Sequence, residues 1–273
     1  MKLKIEHKGN KFTIDSKQFF DISIPYNFNG EQPNFYNVDK GSLKPFKIDE
    51  QSWSVADGAS CNVPEISMNI HCTGTHTESV GHLLKNLGNI GSILTDTFMP
   101  ALLITVDQVK IDTCKESYHC HVEKNEAVIC MNAIKSQVEK WPESSSTTLI
   151  IRTIPNNDSK KSMQFNSSPP PFFTNESLQY ITKLGVQHLI VDLPSVDRMA
   201  DDGLLGNHRI FWGDEKNPHG EVNVDSRKTI TELVYIPNSV EDGFYFVNIQ
   251  IPHFVCDAAP SRPLLFPIDT KFP

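Results

Sequence analysis

The sequence has no long hydrophobic run and no excess of basic charge, and its first residues lack the uncharged apolar run expected of a secretory leader. A transmembrane helix needs about 20 consecutive apolar residues, and no such run occurs among the 273 residues. With 25 Lys and Arg against 33 Asp and Glu, the net charge is −8. This balance argues against nucleic acid as a partner, because a polyanion is bound by clustered basic residues. We therefore expect a cytoplasmic protein that binds neither membrane nor nucleic acid.

The sequence also lacks the paired cysteine spacing of a disulfide framework. Its six cysteines are interpreted as reduced thiols, most of them buried as small hydrophobic side chains. Hydrophobic residues make up 38% and charged residues 21% of the chain, which is typical of a globular protein. Only Cys72 is set apart, because it lies among histidines.

One stretch, residues 71–82, concentrates side chains that bind transition metals and transfer protons near neutral pH. It contains His71, Cys72, His76, Glu78 and His82. On an extended strand Cys72, His76, Glu78 and His82 share one face, whereas His71 faces the other side. A His-rich surface loop is the alternative. Four donors on one face instead indicate a metal or acid–base site, because such groups are costly to bury with nothing bound.

Two residues of the second half are candidates to complete such a site. His208 stands at the start of a buried segment, and Glu232 lies within the apolar and β-branched run 229–236. A carboxylate buried on a strand costs several kcal/mol unless it is protonated, ion-paired or bound to a metal. His119 and His121 flank a cysteine in a charged segment and are interpreted as a solvated face.

Hydrophobic periodicity predicts a mixture of strands and helices. The expected strands are 2–7, 11–14, 19–24, 101–106, 147–154, 188–192, 229–236, 243–251 and 264–268. The expected helices are 123–141 and 174–184, the second with Thr174 as N-cap and Gly185 after its last turn. Buried parallel-type strands next to hairpin-type strands indicate a single α/β or α+β domain over residues 1–273.

The motifs of this chain resemble those of the putative cyclase family of metal-dependent hydrolases, which includes bacterial kynurenine formamidase. The stretch CTGTHTESVGH at 72–82 is similar to the family signature His-x-Gly-Thr-His-x-Asp-x-Pro-x-His. Further pieces are similar in the same order and extend the resemblance over nearly the whole chain. They are Phe20-Asp21-Ile22-Ser23, Ile151-Arg152-Thr153, Asp192-Leu193-Pro194-Ser195-Val196-Asp197, His208-Arg209, Thr231-Glu232-Leu233 and Asp257-Ala258-Ala259-Pro260-Ser261-Arg262.

The resemblance implies a swivelling β/β/α fold of the α/β class, with a mixed sheet and flanking helices, and a homodimer whose loops complete the pocket. By position it implies that His82 transfers protons and that five residues bind metal. Those five are Cys72, His76, Glu78, His208 and Glu232.

Three positions depart from the family pattern: Cys72 replaces His, Glu78 replaces Asp and Val80 replaces Pro. A thiolate ligand favours zinc over manganese, although His71 competes with Cys72 for that position. The longer Glu78 side chain speaks against a two-metal centre. The segment between His208 and Glu232 is longer than in the family, and we expect it to alter the pocket.

Two functional hypotheses follow. The first is a metal-dependent hydrolase of a small amide, formamide, or cyclic amide or ester, in which the metal activates water and His82 is the acid–base residue. The second is a non-catalytic metal-binding or regulatory protein with the same fold. A closed structural zinc site is a third possibility and predicts unfolding on chelation.

Overall fold

A computed structural model describes residues 1–141 and 146–272 of the chain. The strands are β1 (Lys2–His7), β2 (Asn10–Asp15), β3 (Phe20–Asp21), β4 (Ser42–Pro45), β5 (Lys47–Ile48), β6 (Gln51–Ser52), β7 (Pro64–Ser67), β8 (His76–Ser79), β9 (Met99–Asp107), β10 (Val109–Lys110), β11 (Ala127–Ile129), β12 (Thr148–Ile154), β13 (Phe172–Phe173), β14 (His188–Val191), β15 (Thr229–Glu232), β16 (Gly243–Gln250), β17 (Ala258–Pro260), β18 (Arg262–Pro267) and β19 (Thr270–Phe272). The α-helices are α1 (Ile90–Ile93), α2 (Met131–Val138), α3 (Asn175–Lys183) and α4 (Gly206–Trp212).

A mixed nine-stranded sheet forms the centre of the fold, in the order β17-β8-β15-β14-β12-β9-β16-β18-β3. The four strands β9, β12, β14 and β15 are parallel neighbours, and the remaining pairs are antiparallel. Parallel strands are covered on both faces and so consist of nearly continuous apolar runs. The expected α/β class with a mixed sheet and flanking helices is confirmed.

Both faces of the sheet are buried in apolar cores. Leu102 and Ile104 of β9 point into the larger core, which also contains side chains of α2, α3 and α4. The alternate residues Ala101 and Leu103 point into a second core on the opposite face. The two-residue period of the strand thus divides one apolar run between two layers.

The predicted boundaries of α3 are confirmed by its caps. The Oγ1 atom of Thr174 accepts a hydrogen bond from the backbone N–H of Ser177 at 3.2 Å. Gly185, which follows the last turn, has φ of +78°, a left-handed conformation that glycine adopts without steric cost.

Two predicted elements have other boundaries. The helix expected over 123–141 is wrong in its first half, where Val128 of β11 pairs with Val109 and Phe172. The consecutive apolar residues there are buried by two strand neighbours, so only Met131–Val138 is helical. The strand expected over 229–236 ends at Glu232, because Leu233 has φ of +55° and leaves the extended conformation.

Residues 42–67 form an extension that the sequence did not predict, and we call it the arm. Within the arm β4 pairs with β7 and β5 pairs with β6, each antiparallel. Leu43 lies opposite Ile66, and these two side chains are 43% and 56% exposed.

Among the helices of the described residues, none combines the length and hydropathy that a bilayer crossing requires.

Candidate metal centre

The centre is built around β8, which lies between β15 and β17 in the sheet. In the antiparallel register His76 is opposite Glu232. The side chains of His76 and Glu78 are 0% and 1% exposed, and they share one face of β8, as the strand period predicts. Strand pairing therefore brings Glu232 to the histidine-rich stretch from some 150 residues away in sequence.

His208 reaches the same point from the first turn of α4. Its Nε2 atom is 2.9 Å from Glu78 Oε1 and 3.9 Å from Glu232 Oε1. The Oε2 atom of Glu232 is 3.5 Å from His76 Nε2. Four of the residues proposed from the sequence as ligands, those at 76, 78, 208 and 232, thus lie together in one buried cluster.

Cys72 lies beside this cluster rather than in it. Residues 71–75 form turns rather than a strand, so the alternation assumed from the sequence begins only at His76. Cys72 packs with Phe35, Phe165 and Leu233, and burial together with the charge of Glu232 raises the pKa of its thiol to about 11. Among the described residues, no group of three or more donor atoms within 4.8 Å of one another includes Cys72.

His71, the alternative to Cys72 as a ligand, contacts the carboxylates of the cluster. Its Nδ1 atom is 3.2 Å from Glu78 Oε2, and its Nε2 atom is 2.9 Å from Asp257 Oδ2. Among the described residues, two groups with donor atoms within 4.8 Å of one another meet at Glu78. They are His71, His76 and Glu78, and Glu78, His208 and Glu232.

We predict that Cys72→Ser retains affinity for a divalent cation within about twofold, whereas His71→Ala lowers it about tenfold or more. The reason is that only the imidazole faces the shared carboxylate of Glu78. Competition with a chromophoric chelator measures both affinities. Cys130→Ser, which changes another buried thiol, is the matched control. The opposite order of effects would make Cys72 the ligand.

His82 lies in the 3-10 helix Val80–Leu83 directly after β8, and its side chain is 26% exposed. Its Nδ1 atom is 3.3 Å from Asp257 Oδ2 and 3.7 Å from Glu78 Oε2. An Nδ1–H donated to Asp257 leaves Nε2 with a free lone pair. This arrangement suits a group that takes up and returns a proton.

Sequence reasoning assigned no role to two carboxylates that hold the histidines. Asp257 accepts from both His71 and His82, and Asp197 Oδ2 is 2.6 Å from His208 Nδ1. Both residues stood in motifs that resemble the family, but a loop carboxylate is common in any sequence. Their role depends on the imidazoles that they contact in the folded chain, and those contacts are not evident from the sequence.

The electrostatics of the cluster favour a cation. Although burial alone would lower it, hydrogen bonds to Asp257 and Glu78 raise the pKa of His71 to about 10. Burial opposes ionisation of Glu78, but His82 and His208 hold its pKa well below the usual range. The carboxylates thus attract positive charge into a buried space, and a divalent ion supplies such charge.

One buried atom tests directly whether a metal fits. His76 Nδ1 is 3.1 Å from the carbonyl oxygen of Gly74, to which it donates, so Nε2 carries a lone pair. That Nε2 is buried and has no hydrogen-bond partner, although buried polar atoms are nearly always satisfied. An unsatisfied imidazole nitrogen with further imidazole and carboxylate groups close to it fits a site for a transition-metal ion. The expected preference for zinc rested on a thiolate ligand, and the cluster without Cys72 suits zinc and manganese alike.

A cavity of about 260 Å³ opens at the cluster. Phe35, Tyr36 and Leu205 line the cavity together with the histidines and carboxylates. Among the described residues that line the cavity, none belongs to the long segment 213–228. That segment instead packs on the end of α4, where Asn223 N–H donates to the carbonyl of Trp212. The expectation that this segment alters the pocket is therefore wrong as far as the residues lining the cavity are concerned.

The solvated-face interpretation is correct for His121 and wrong for His119. The side chain of His121 is 86% exposed, whereas that of His119 is 0% exposed. His119 is buried because the segment before β11 folds over the start of α4, where its ring contacts Gly206. The charged residues around it in sequence gave no sign of this contact.

A mixed sheet that carries buried imidazoles and carboxylates beside an open cavity defines a metal-site protein with a small-molecule pocket. The chain belongs to the putative cyclase family, and the sequence model of that family matches residues 20–198. It is 23% identical to a kynurenine formamidase of Bacillus cereus over 261 residues, which are 93% of this chain and all of that protein.

Solved structures show the same fold. An isatin hydrolase A from Labrenzia aggregata superposes with a TM-score of 0.60 at 12% identity, covering 91% of this chain and 93% of the other. A structure described as a potential metal-dependent hydrolase with cyclase activity gives a TM-score of 0.58 at 18% identity, over 91% and 97% of the two chains.

Proposed function

We infer that this protein is a metal-dependent hydrolase of amide bonds. We propose that its substrate is a small formamide, or a cyclic amide or ester. The observation that carries the inference is the unsatisfied Nε2 of buried His76, which faces Glu232 beside an open cavity. Its curated relatives are named kynurenine formamidases, and amide hydrolysis is the chemistry of those enzymes.

We propose that His71, His76, Glu78, His208 and Glu232 hold the metal and that Cys72 does not. Zinc is the ion we propose, with manganese as the alternative for this nitrogen and oxygen donor set. When bound, a divalent cation there supplies a Lewis acid that activates water and polarises a carbonyl. Glu78 presents its two carboxylate oxygens to two different groups of donors, so this geometry accommodates one ion or two.

The chain's own residues supply proton transfer and orientation. His82 Nε2 takes a proton from water and returns it to the leaving nitrogen or oxygen. Asp257 holds the imidazole through Nδ1 and stabilises it when it is protonated. Phe35 and Tyr36 line the cavity beside these groups.

The cavity volume limits the substrate. At about 260 Å³ it lies just below the usual range for ligand pockets, which begins near 300 Å³. The apolar lining residues suit a flat hydrocarbon group, and the imidazole and carboxylate groups suit one carbonyl. We therefore propose a compact substrate with one reacting amide or ester.

The test is metal content and turnover of the same preparation. Protein purified without chelator should contain at least one zinc or manganese ion per chain, and it should hydrolyse members of a panel of aryl formamides, lactams and lactones. No bound ion and no turnover would refute the hydrolase proposal. A retained ion with no turnover across the panel would favour the non-catalytic metal-binding alternative.

Chelation should inactivate the protein without unfolding it, because the site is open to the cavity.

We propose that the protein is a homodimer and that the arm, residues 42–67, is part of its interface. Five apolar side chains of the arm are at least 40% exposed: Leu43, Ile48, Val55, Val63 and Ile66. A two-stranded hairpin is marginally stable alone, and contiguous exposed apolar surface marks an interface. A second copy of the chain would cover it. The arm also leads directly into the turn that carries His71.

We predict that Ile66→Lys converts the dimer to a monomer, because a charge would be buried between two apolar surfaces. Light scattering after size exclusion should show the mass fall from twice 30.7 kDa to 30.7 kDa. Val224→Lys, at an apolar side chain that is 63% exposed outside the arm, should leave the mass unchanged. A wild-type monomer, or a dimer that survives Ile66→Lys, contradicts this role of the arm.

We propose further that residues 1–273 form a single domain and that the protein acts in the cytoplasm. Strands from both ends of the chain support the first point, since β3 and β18 are neighbours in the central sheet. Six free cysteines support the second, because reduced thiols are typical of that compartment.

A further inference from the structure

The ligand His208 is held by a layer of residues that the proposed chemistry does not use. Asp197 accepts from His208 Nδ1 at 2.6 Å and from the backbone N–H of His208 at 3.2 Å. With Nδ1 donating, the lone pair of His208 lies on Nε2, the atom that faces Glu78. Asp197 thus determines both the orientation and the tautomer that metal binding requires.

Asp197 is in turn held by Tyr118. The hydroxyl of Tyr118 donates to Asp197 Oδ1 at 2.8 Å and accepts from the backbone N–H of Arg198 at 2.8 Å. The N–H of Asn207 also donates to that oxygen, at 2.9 Å. Both oxygens of the Asp197 carboxylate thus accept hydrogen bonds from the surrounding fold.

His119 holds the start of α4, the helix that carries His208. The N–H of Gly206 donates to His119 Nε2 at 3.2 Å, so the proton of the ring lies on Nδ1, 3.1 Å from Asn175 Oδ1. The fit is close, because a Cβ atom on Gly206 would lie 2.3 Å from the ring. The residue before the helix, Leu205, offers no side-chain cap, so His119 satisfies one of the free N–H groups there.

The group His119, Asp197 and Asp201 has the spacing of a cation site, but its atoms are already satisfied. Asp201 accepts from the N–H groups of Gly203 and Leu205, and His119 Nε2 accepts from Gly206. This differs from His76, whose Nε2 has no partner. The group is therefore a hydrogen-bonded support rather than a second ion site.

We propose that Tyr118 and His119 are positioning residues for the metal ligand His208: Tyr118 through Asp197, and His119 through the first turn of α4. The proposal rests on the proposed metal site. Both residues come from the segment before β11, so that segment sets the geometry of a ligand some 90 residues later in the chain.

The first experiment compares Tyr118→Phe with the matched control Tyr180→Phe, at a tyrosine of α3 outside this network. Tyr118→Phe should weaken zinc affinity about tenfold in a chelator competition. It should also shift the visible ligand-field bands of the cobalt-substituted protein. Tyr180→Phe should change neither. A Tyr118→Phe protein with wild-type zinc affinity and an unchanged cobalt spectrum would overturn the role of Tyr118.

The second experiment separates positioning by His119 from simple packing. The amide of His119→Gln can accept from Gly206 and donate to Asn175, whereas His119→Leu can do neither. His119→Gln should therefore keep the wild-type cobalt spectrum and zinc affinity. His119→Leu should show the shifted cobalt bands and the weaker zinc affinity expected of Tyr118→Phe. Equal behaviour of the two variants would overturn the role of His119. If the wild-type protein itself binds neither ion, the proposed function fails, whereas normal wild-type binding with unaffected variants removes only this inference.

Discussion

Replacing His82 with alanine should lower turnover of an activated amide or ester by about 10²–10⁴-fold and leave ion affinity near the wild-type value. His82 is a partly exposed imidazole at the cavity, and its Nδ1 faces Asp257 rather than the carboxylate of Glu232. Its removal deletes the proton acceptor and keeps the buried donors at residues 76, 78, 208 and 232. Steady-state kinetics and metal analysis on one preparation measure both effects.

His253→Ala is a suitable control for His82→Ala, because His253 contacts Gly91 rather than the buried donors. Asp257→Asn should reproduce part of the loss, since an amide does not stabilise a protonated imidazole as a carboxylate does. Unchanged turnover in His82→Ala would exclude this residue from proton transfer. A simultaneous loss of the ion would instead identify His82 as a ligand.

Replacing Glu78 with glutamine should abolish ion binding at micromolar concentrations, a loss of about 100-fold or more in affinity. Glu78 is the residue common to both groups of donors, with Oε1 at 2.9 Å from His208 and Oε2 at 3.2 Å from His71. Glutamine preserves the volume but offers one neutral oxygen in place of two charged ones. Metal analysis after dialysis against a defined free zinc concentration gives the measurement.

Glu139→Gln serves as the control for Glu78→Gln, because that side chain is 63% exposed directly after the end of α2. Circular dichroism should show both variants folded, since the substitution removes a buried charge and not a packed side chain. A Glu78→Gln protein that retains its ion would mean that the cluster around β8 is not where the metal binds.

The sequence predicted the elements whose signals are local. The hairpin of β1 and β2, the strands β9 and β12, and the caps of α3 at Thr174 and Gly185 follow from short patterns of apolar, turn and capping residues. The arm was missed because its strands are only two to four residues long and most of its large apolar side chains are exposed. Helix α4 was missed because it lies in a polar segment and the N–H of its first residue, Gly206, is capped by His119 from a distant part of the sequence.

The site was predictable where strand alternation holds and not where it fails. His76 and Glu78 lie on a strand and share a face, as expected. His71 and Cys72 precede the strand in a turn, so the assumed alternation does not apply to them, and His71 contacts Glu78 although it was expected on the other face. Glu232 was expected in mid-strand, but Leu233 turns the chain with φ of +55° directly after it. Its carboxylate therefore stands at the carboxyl end of a parallel strand, the edge where ligands commonly bind.

The position of β8 between β15 and β17 links the ion to the architecture of the whole sheet. Both neighbours join the sheet from segments that are synthesised some 150 to 180 residues later. The donors converge only when β8 is paired with both neighbours. A cation would therefore bind tightly to the chain with these pairs formed and weakly to a chain in which they are broken. The binding free energy of the ion would then stabilise that pairing. Strands β17, β8 and β15 would separate less often with the ion bound than without it.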